Sequence, residues 1–167
     1  MSNNESILDP TVETTLARHG IDHEVLPCDP DFADTAQFCE HYGIPPANSA
    51  NTIIVASRRD PKQFAACVAT ADTKLDVNKT VRKLMGVRRL SFATPDDTRD
   101  LTGMLIGGVT VFGLPDGLAT YIDARILNLD YVILGGGNRS SKLKLHPAEL
   151  RKLPHAEFID GLALDPA

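Results

Sequence analysis

Two glycine-rich stretches have the spacing best suited to holding a ligand by its oxygen atoms. The first, Leu101 to Leu114, reads LTGMLIGGVTVFGL, with Gly107 and Gly108 adjacent and the β-branched run Val109, Thr110, Val111 directly after them. Glycine reaches positive φ freely, so such a pair lets the backbone bend tightly, enter a strand and present bare N–H groups. The second, Gly135-Gly136-Gly137-Asn138, follows the apolar run Tyr131 to Leu134 and precedes Arg139, Lys142 and Lys144. If the strands carrying the two loops are neighbours, both open on one edge, where their N–H groups would hold a carbonyl oxygen or a phosphate. That chemistry suits an ester, with the following cations meeting a sugar-phosphate end. The same spacing also suits a glycine-kinked connection in a core beside a solvated charge row. Asp123, between the loops, either orients the site or caps a turn.

Other catalytic patterns are missing. There is no G-x-S-x-G elbow, H-E-x-x-H pair, P-loop or G-x-G-x-x-G turn. The histidines His19, His23, His41, His146 and His155 are scattered near predicted helix ends and turns, where a solvated imidazole is the default. Cys28, Cys39 and Cys67 are widely spaced, as reduced core thiols would be, and no second ligand pair follows Cys39 and His41 at zinc-type spacing. Neither a metal nor a cofactor is expected.

The elements that must position these loops are legible from pattern. A length of 167 residues with 43% hydrophobic and 23% charged residues fits one α/β domain spanning 1–167, with 1–8 as a polar leader. Asp9 and Pro10 open a helix closing at Gly20, and a strand follows from Ile21 to Leu26. A second helix runs from Asp34 to Tyr42. Asn51 to Ser57, NTIIVAS, is an apolar run expected as a central strand buried on both faces, returning through a charged turn as Gln63 to Thr70. Asp76 caps a helix to Gly86, its basic side carrying Lys79, Arg82 and Lys83. A short strand, Val87 to Phe92, precedes a helix opened by Thr94. Leu118 to Asp123, Tyr131 to Leu134 and Lys142 to Leu145 read as strands, the last with one wet face, and His146-Pro147 starts a final helix.

Charge and termini bound the partners. A net charge of -5 argues against a broadly basic nucleic-acid surface while leaving room for a local basic groove on an acidic body. The N-terminus, MSNNESILDP, lacks the basic and apolar regions of a signal peptide, and no run of about 18 apolar residues occurs. A cytoplasmic protein without a membrane span is expected.

The order T-G-x-x-x-G-G-V-T-x-F-G-L from Thr102 to Leu114, Y-I-D at 121–123, G-G-G at 135–137 and L-x-L-x-P ending at Pro147 resembles the YbaK/EbsC family of aminoacyl-tRNA deacylases, related to the editing insertion domain of bacterial prolyl-tRNA synthetases. The likeness extends upstream through NTIIVAS and TADTKLDVNKTVRKLMG. It implies a mixed, partly barrel-like β-sheet with peripheral helices, and hydrolysis of a small amino acid wrongly esterified to the 3′ adenosine of tRNA. The implied partners are the acceptor end of aminoacyl-tRNA and a synthetase.

Carried over residue by residue, the resemblance places Gly107, Gly108 and Asn51 at the reacting ester. Thr52, Thr102, Gly103, Val109, Val111, Asp123, Gly135, Gly136, Gly137 and Asn138 follow as substrate-binding positions, and Lys79, Arg139 and Lys142 as tRNA contacts. Deacylating members carry a lysine at the start of the strand that reads NTIIVAS here, in a K-T-L type pattern; this chain has Asn51 before Thr52. They also carry a G-x-x-x-P loop, where this chain has Val111 four positions after Gly107. Family mechanisms lean on a substrate hydroxyl or thiol, a positioned water and backbone N–H groups, so an asparagine is compatible with catalysis. The alternative is a non-catalytic relative that binds aminoacyl or nucleotide ends and acts with a synthetase.

Overall fold

Asp9 accepts hydrogen bonds from the N–H groups of Thr11 and Val12, and with Pro10 behind it the chain enters its first helix. In the computed structural model, which describes residues 7–166, this helix is α1 (Pro10–Arg18) and buries Val12 and Leu16. The leader expected over 1–8 ends sooner, because Leu8 is already buried in the core; residues 1–6 of that leader lie outside the described residues. Strand β1 (Glu24–Pro27) follows, then a 3₁₀ turn at Pro30–Phe32 and α2 (Thr35–Tyr42), closed by Gly43 in the left-handed region.

The long apolar run becomes β2 (Ala50–Ser57), which pairs antiparallel with β3 (Phe64–Thr70). Strand β4 (Lys74–Leu75) leads into a π-helical turn over Val77–Val81 and α3 (Arg82–Met85), stopped by Gly86. Next come β5 (Leu90–Phe92) and α4 (Pro95–Thr102), whose N-cap Thr94 accepts from the Asp97 N–H as expected of a capping residue. Four more strands are β6 (Ala119–Asp123), β7 (Val132–Gly135), β8 (Ser141–Leu145) and β9 (Ala156–Ile159). A 3₁₀ segment at Pro147–Lys152 takes the place of the last predicted helix, and β10 (Ala163–Leu164) completes the order.

The strands form a mixed five-stranded sheet, β5-β2-β3-β6-β9, a three-stranded sheet, β1-β8-β7, and the pair β10-β4. In the large sheet β3 runs parallel to β6 and β6 parallel to β9, while both neighbours of β2 are antiparallel. The expected mixed α/β architecture is present, but the sheets stay open and no barrel closes. They meet where Ser49 bridges Ile133, so the start of β2 lies beside β7. That seam matters because β2 carries Asn51 and β7 ends at Gly135.

One predicted strand is absent. Val109, Thr110 and Val111 are buried but belong to no strand. The side chains of Val109 and Val111 join the core shared with Val12, Phe112, Leu134 and Leu143, so burial rather than ladder pairing explains these two valines. No helix among the described residues is long and apolar enough to cross a membrane.

Candidate functional site

At the seam, a cleft of about 530 Å³ is lined by Asn51, Thr52, Gly107, Val109, Gly135 and Lys142. Seven elements supply it: the first half of β2, the end of β5, Thr98 of α4, the 106–109 loop, the N-terminus of α2, the last residue of β7 and the first half of β8. The half of β2 that faces the cleft is only partly buried at Asn51, Thr52 and Ile53, whereas Ile54 to Ser57 are fully buried. Expectation and structure therefore differ over half a strand, because the cleft replaces a packing layer there.

Lys142 departs furthest from its expected place. Read as one member of a wet strand face, it is 5% exposed, because β8 is the middle strand of its sheet and α2 covers that face. Its register partner is Gly135, which has no side chain to compete for the space. The ammonium donates to the carbonyls of Ala33 at 2.6 Å and Gly107 at 2.9 Å and lies 5.3 Å from the Phe38 ring centroid. Burial pushes its pKa below the ordinary lysine value, and the nearby Cys28 thiol and Asp34 carboxylate act in the opposite sense. Oxygen dipoles and an aromatic face thus hold a buried cation where no salt bridge does.

Asn51 lines the same cleft as this cation. Its side-chain oxygen accepts the Thr35 hydroxyl proton, which leaves its two amide N–H donors without a protein acceptor among the described residues. Thr52 Oγ1 is buried with no hydrogen-bond partner among the described residues. Ala36, Ile53, Ile54 and Val109 give the cleft apolar walls, and Phe92 and Ile106 stand at its rim, 61% and 51% exposed.

The glycine loop is held from two sides. Gly107 has φ +93°, and a Cβ there would overlap the Arg139 guanidinium. Arg139 donates to the carbonyl of Ile106 at 2.7 Å, that of Pro30 at 2.8 Å and the Asp34 carboxylate at 3.0 Å. Its charge is therefore occupied in clamping the loop to the segment before α2. The Gly108 N–H donates to Leu105, and the Gly108 carbonyl accepts from Gly137. The N–H groups of Gly107 and Val109 have no protein acceptor among the described residues.

Other singled-out residues sit elsewhere. Gly108, Gly136, Gly137 and Asn138 are outside the cleft lining: a Cβ on Gly108 would strike the Asn138 backbone, one on Gly136 would strike Ser141, and one on Gly137 would strike Asp9 and Val12. Asn138 ties Ile7 to Ser140 and Ser141. Thr102 and Gly103 close α4, Thr102 by a hydroxyl bond to Thr98 and Gly103 as the left-handed cap. Val111 lines a different cleft of about 480 Å³ against α1, beside His19 and His155. Asp123 is buried, accepts from the Arg125 N–H and pairs with the Arg125 guanidinium at 3.2 Å. Lys79 is exposed and is not part of the lining. All three cysteines are buried, with Cys67 pushed up to about 12 by burial, the state of an inert thiol. Among the described residues no cluster of three metal-ligating side chains occurs.

The burial of Lys142 and the exposure of Phe92 escaped sequence reasoning. The first had no local signal, since Lys142 stands five residues after the triple glycine and alternates with apolar residues just as Lys144 does.

Comparison with known proteins agrees with the geometry. The sequence profile of the aminoacyl-tRNA editing domain matches residues 29–153. The uncharacterized protein YwhH of Bacillus subtilis strain 168 is 28% identical over 140 residues, covering 84% of this chain and 87% of that protein. Among solved structures, the hypothetical protein APE2540 superposes with a TM-score of 0.80 at 25% identity, over 90% of this chain and 97% of the other. A candidate trans-editing enzyme for prolyl tRNA synthetase superposes with a TM-score of 0.78 at 22% identity, over 95% of this chain and 99% of that one, a likeness of fold.

Proposed function

This chain belongs to the aminoacyl-tRNA editing domain family, and we propose that it hydrolyses the ester linking a wrongly attached small amino acid to the 3′-terminal adenosine of a tRNA. The observation that carries this reading is the seat of Lys142: a buried ammonium in the cleft that Asn51 also lines, bonded to the Gly107 carbonyl at 2.9 Å. Where family members place a lysine on β2, this chain has Asn51 on β2 and Lys142 on β8, so the cation reaches the same cleft from a different strand.

The chemistry follows from the donors. Water adds to the ester carbonyl carbon, the bond to the ribose oxygen breaks, and the free amino acid and the ribose hydroxyl leave. Negative charge grows on the carbonyl oxygen, and in this reading it is met by the unclaimed N–H groups of Gly107 and Val109. An ammonium has three donors; two hold Ala33 and Gly107, and the third faces the substrate's oxygen atoms. Asn51 donates from its amide to the ribose hydroxyls. The cleft supplies no imidazole, and its carboxylate, Asp34, is paired with Arg139, so the attacking water is oriented by the substrate's own polar groups. Apolar walls at Ala36, Ile53 and Ile54 favour a short side chain.

Release of amino acid from alanyl-, cysteinyl-, prolyl- and seryl-tRNA, each prepared both correctly and wrongly charged, tests the reading. Release from at least one mischarged species is expected; no release from any of them at high enzyme concentration overturns it.

A further inference from the structure

The other end of β2 meets a second feature that the cleft does not use. Residues 57–61 and 86–89, with Gln63 and Arg82, enclose a groove of about 840 Å³. Arg58, Arg59, Arg82, Arg88 and Arg89 all line it, half of the arginines in a chain whose net charge is -5. Among the described residues none of the five has a carboxylate within 4 Å, although Asp60 also lines the groove. On α4, Asp97 pairs with Lys62, and Asp96 and Asp100 pair with Arg99. Arg82 is fixed across the groove by donating to the carbonyls of Asn78 and Arg88. Five guanidinium groups gathered without counter-charges repel one another, and a polyanion laid along them removes that repulsion.

The groove and the cleft are joined by β5. Arg88 and Arg89 immediately precede this strand, Leu90 pairs with Ser57, and Phe92 pairs with Val55 at the rim of the cleft. Asn51 and Ser57 are six residues apart on one strand, which at a rise of about 3.3 Å per residue separates the two sites by about 20 Å. A side chain of phenylalanine left 61% exposed at the mouth of a cleft offers a face on which a base stacks. We propose that Phe92 and the arginine groove form one track for single-stranded RNA, with the 3′-terminal base on Phe92 and the phosphates of the preceding nucleotides on Arg58, Arg88 and Arg89. The track rests on the reading of the cleft as the ester site for its direction, but its binding requires no hydrolysis.

Equilibrium binding of uncharged tRNA, and of a short single-stranded RNA ending in adenosine, tests the track across a range of salt concentrations. The triple substitution Arg58→Ala, Arg88→Ala, Arg89→Ala is expected to weaken tRNA binding at least tenfold and to flatten the dependence of log affinity on log salt by about 2, since each lost phosphate contact removes about 0.7–0.9. Phe92→Ala is expected to weaken binding of the short RNA about tenfold without changing its salt slope, and Phe92→Tyr to restore it. These side chains are exposed, and unchanged thermal melting will show that each variant folds; the single substitution Arg88→Glu serves if the triple does not. Wild-type affinity and slope in the arginine variants overturn the proposal, including the case where the groove instead holds an acidic protein. If no aminoacyl ester is hydrolysed yet these losses appear, the track stands and the hydrolase reading falls.

Discussion

The Lys142 ammonium donates to the Gly107 carbonyl at 2.9 Å, so the central strand of the small sheet holds the loop that floors the cleft. Arg139 grips the same loop one residue earlier, at the Ile106 carbonyl. Two cations thus occupy two successive carbonyls of this loop, those of Ile106 and Gly107.

If Lys142 already supplies the cation of this site, adding a second one at the family position brings no gain. Asn51→Lys is expected to leave deacylation unchanged or lower, because two ammonium groups in one cleft disfavour each other's charge and the Thr35 bond is lost. A tenfold rise in kcat/KM would show that the native cleft lacks the group it needs.

Gly108 and Gly103 separate two uses of glycine. A Cβ on Gly108 would run into the backbone of Asn138, which cannot move without parting the two glycine loops, whereas at Gly103 it meets open space and only the φ of +73° is unfavourable. Gly108→Ala is expected to lower unfolding free energy by about 2–3 kcal/mol and Gly103→Ala by about 1 kcal/mol. Urea unfolding at constant m-value checks the order, and equal losses would contradict it.

Much of this was legible in the residues. The caps at Asp9 and Thr94 and the stops at Gly43 and Gly86 report local chemistry, and the structure places them accordingly. What depends on distant packing was not. Lys142 and Lys144 share one face of an alternating strand, and nothing local says that α2 covers the first of them. Strands β9 and β10 are short and mixed in polarity, and they exist because β6 and β4 offer edges. The glycines at 135–137 read as a ligand loop by type, whereas two of the three are small because α1 and Ser141 press on them.

Asp123 gives a pH signature unrelated to the cleft. Its carboxyl is 2% exposed, and burial raises its pKa above the ordinary value of 3.8 despite the Arg125 N–H and guanidinium. The folded state therefore binds the proton more tightly than the unfolded chain, so the stabilising contribution is complete below the unfolded pKa and is lost as pH rises through the folded one. Relative to Asp123→Asn, which keeps the acceptor for Arg125, wild type is expected to lose stability on going from pH 3 to pH 7, by about 1.4 kcal/mol per unit of difference between the two pKa values. Chemical unfolding of both proteins across this range checks the sign; a widening advantage of wild type at higher pH would contradict it.

Single-turnover deacylation by wild type and Lys142→Met, on whichever mischarged tRNA of the four-member panel wild type clears, tests the central claim most directly. Methionine fills the same space and removes a buried charge, so the fold persists while the ammonium is lost; far-ultraviolet circular dichroism and melting verify this. The account predicts that wild type releases the amino acid and that the variant is slower by about 10- to 100-fold, the worth of a charge-assisted contact of about 1.5–3 kcal/mol. A folded Lys142→Met protein that deacylates at the wild-type rate would contradict it.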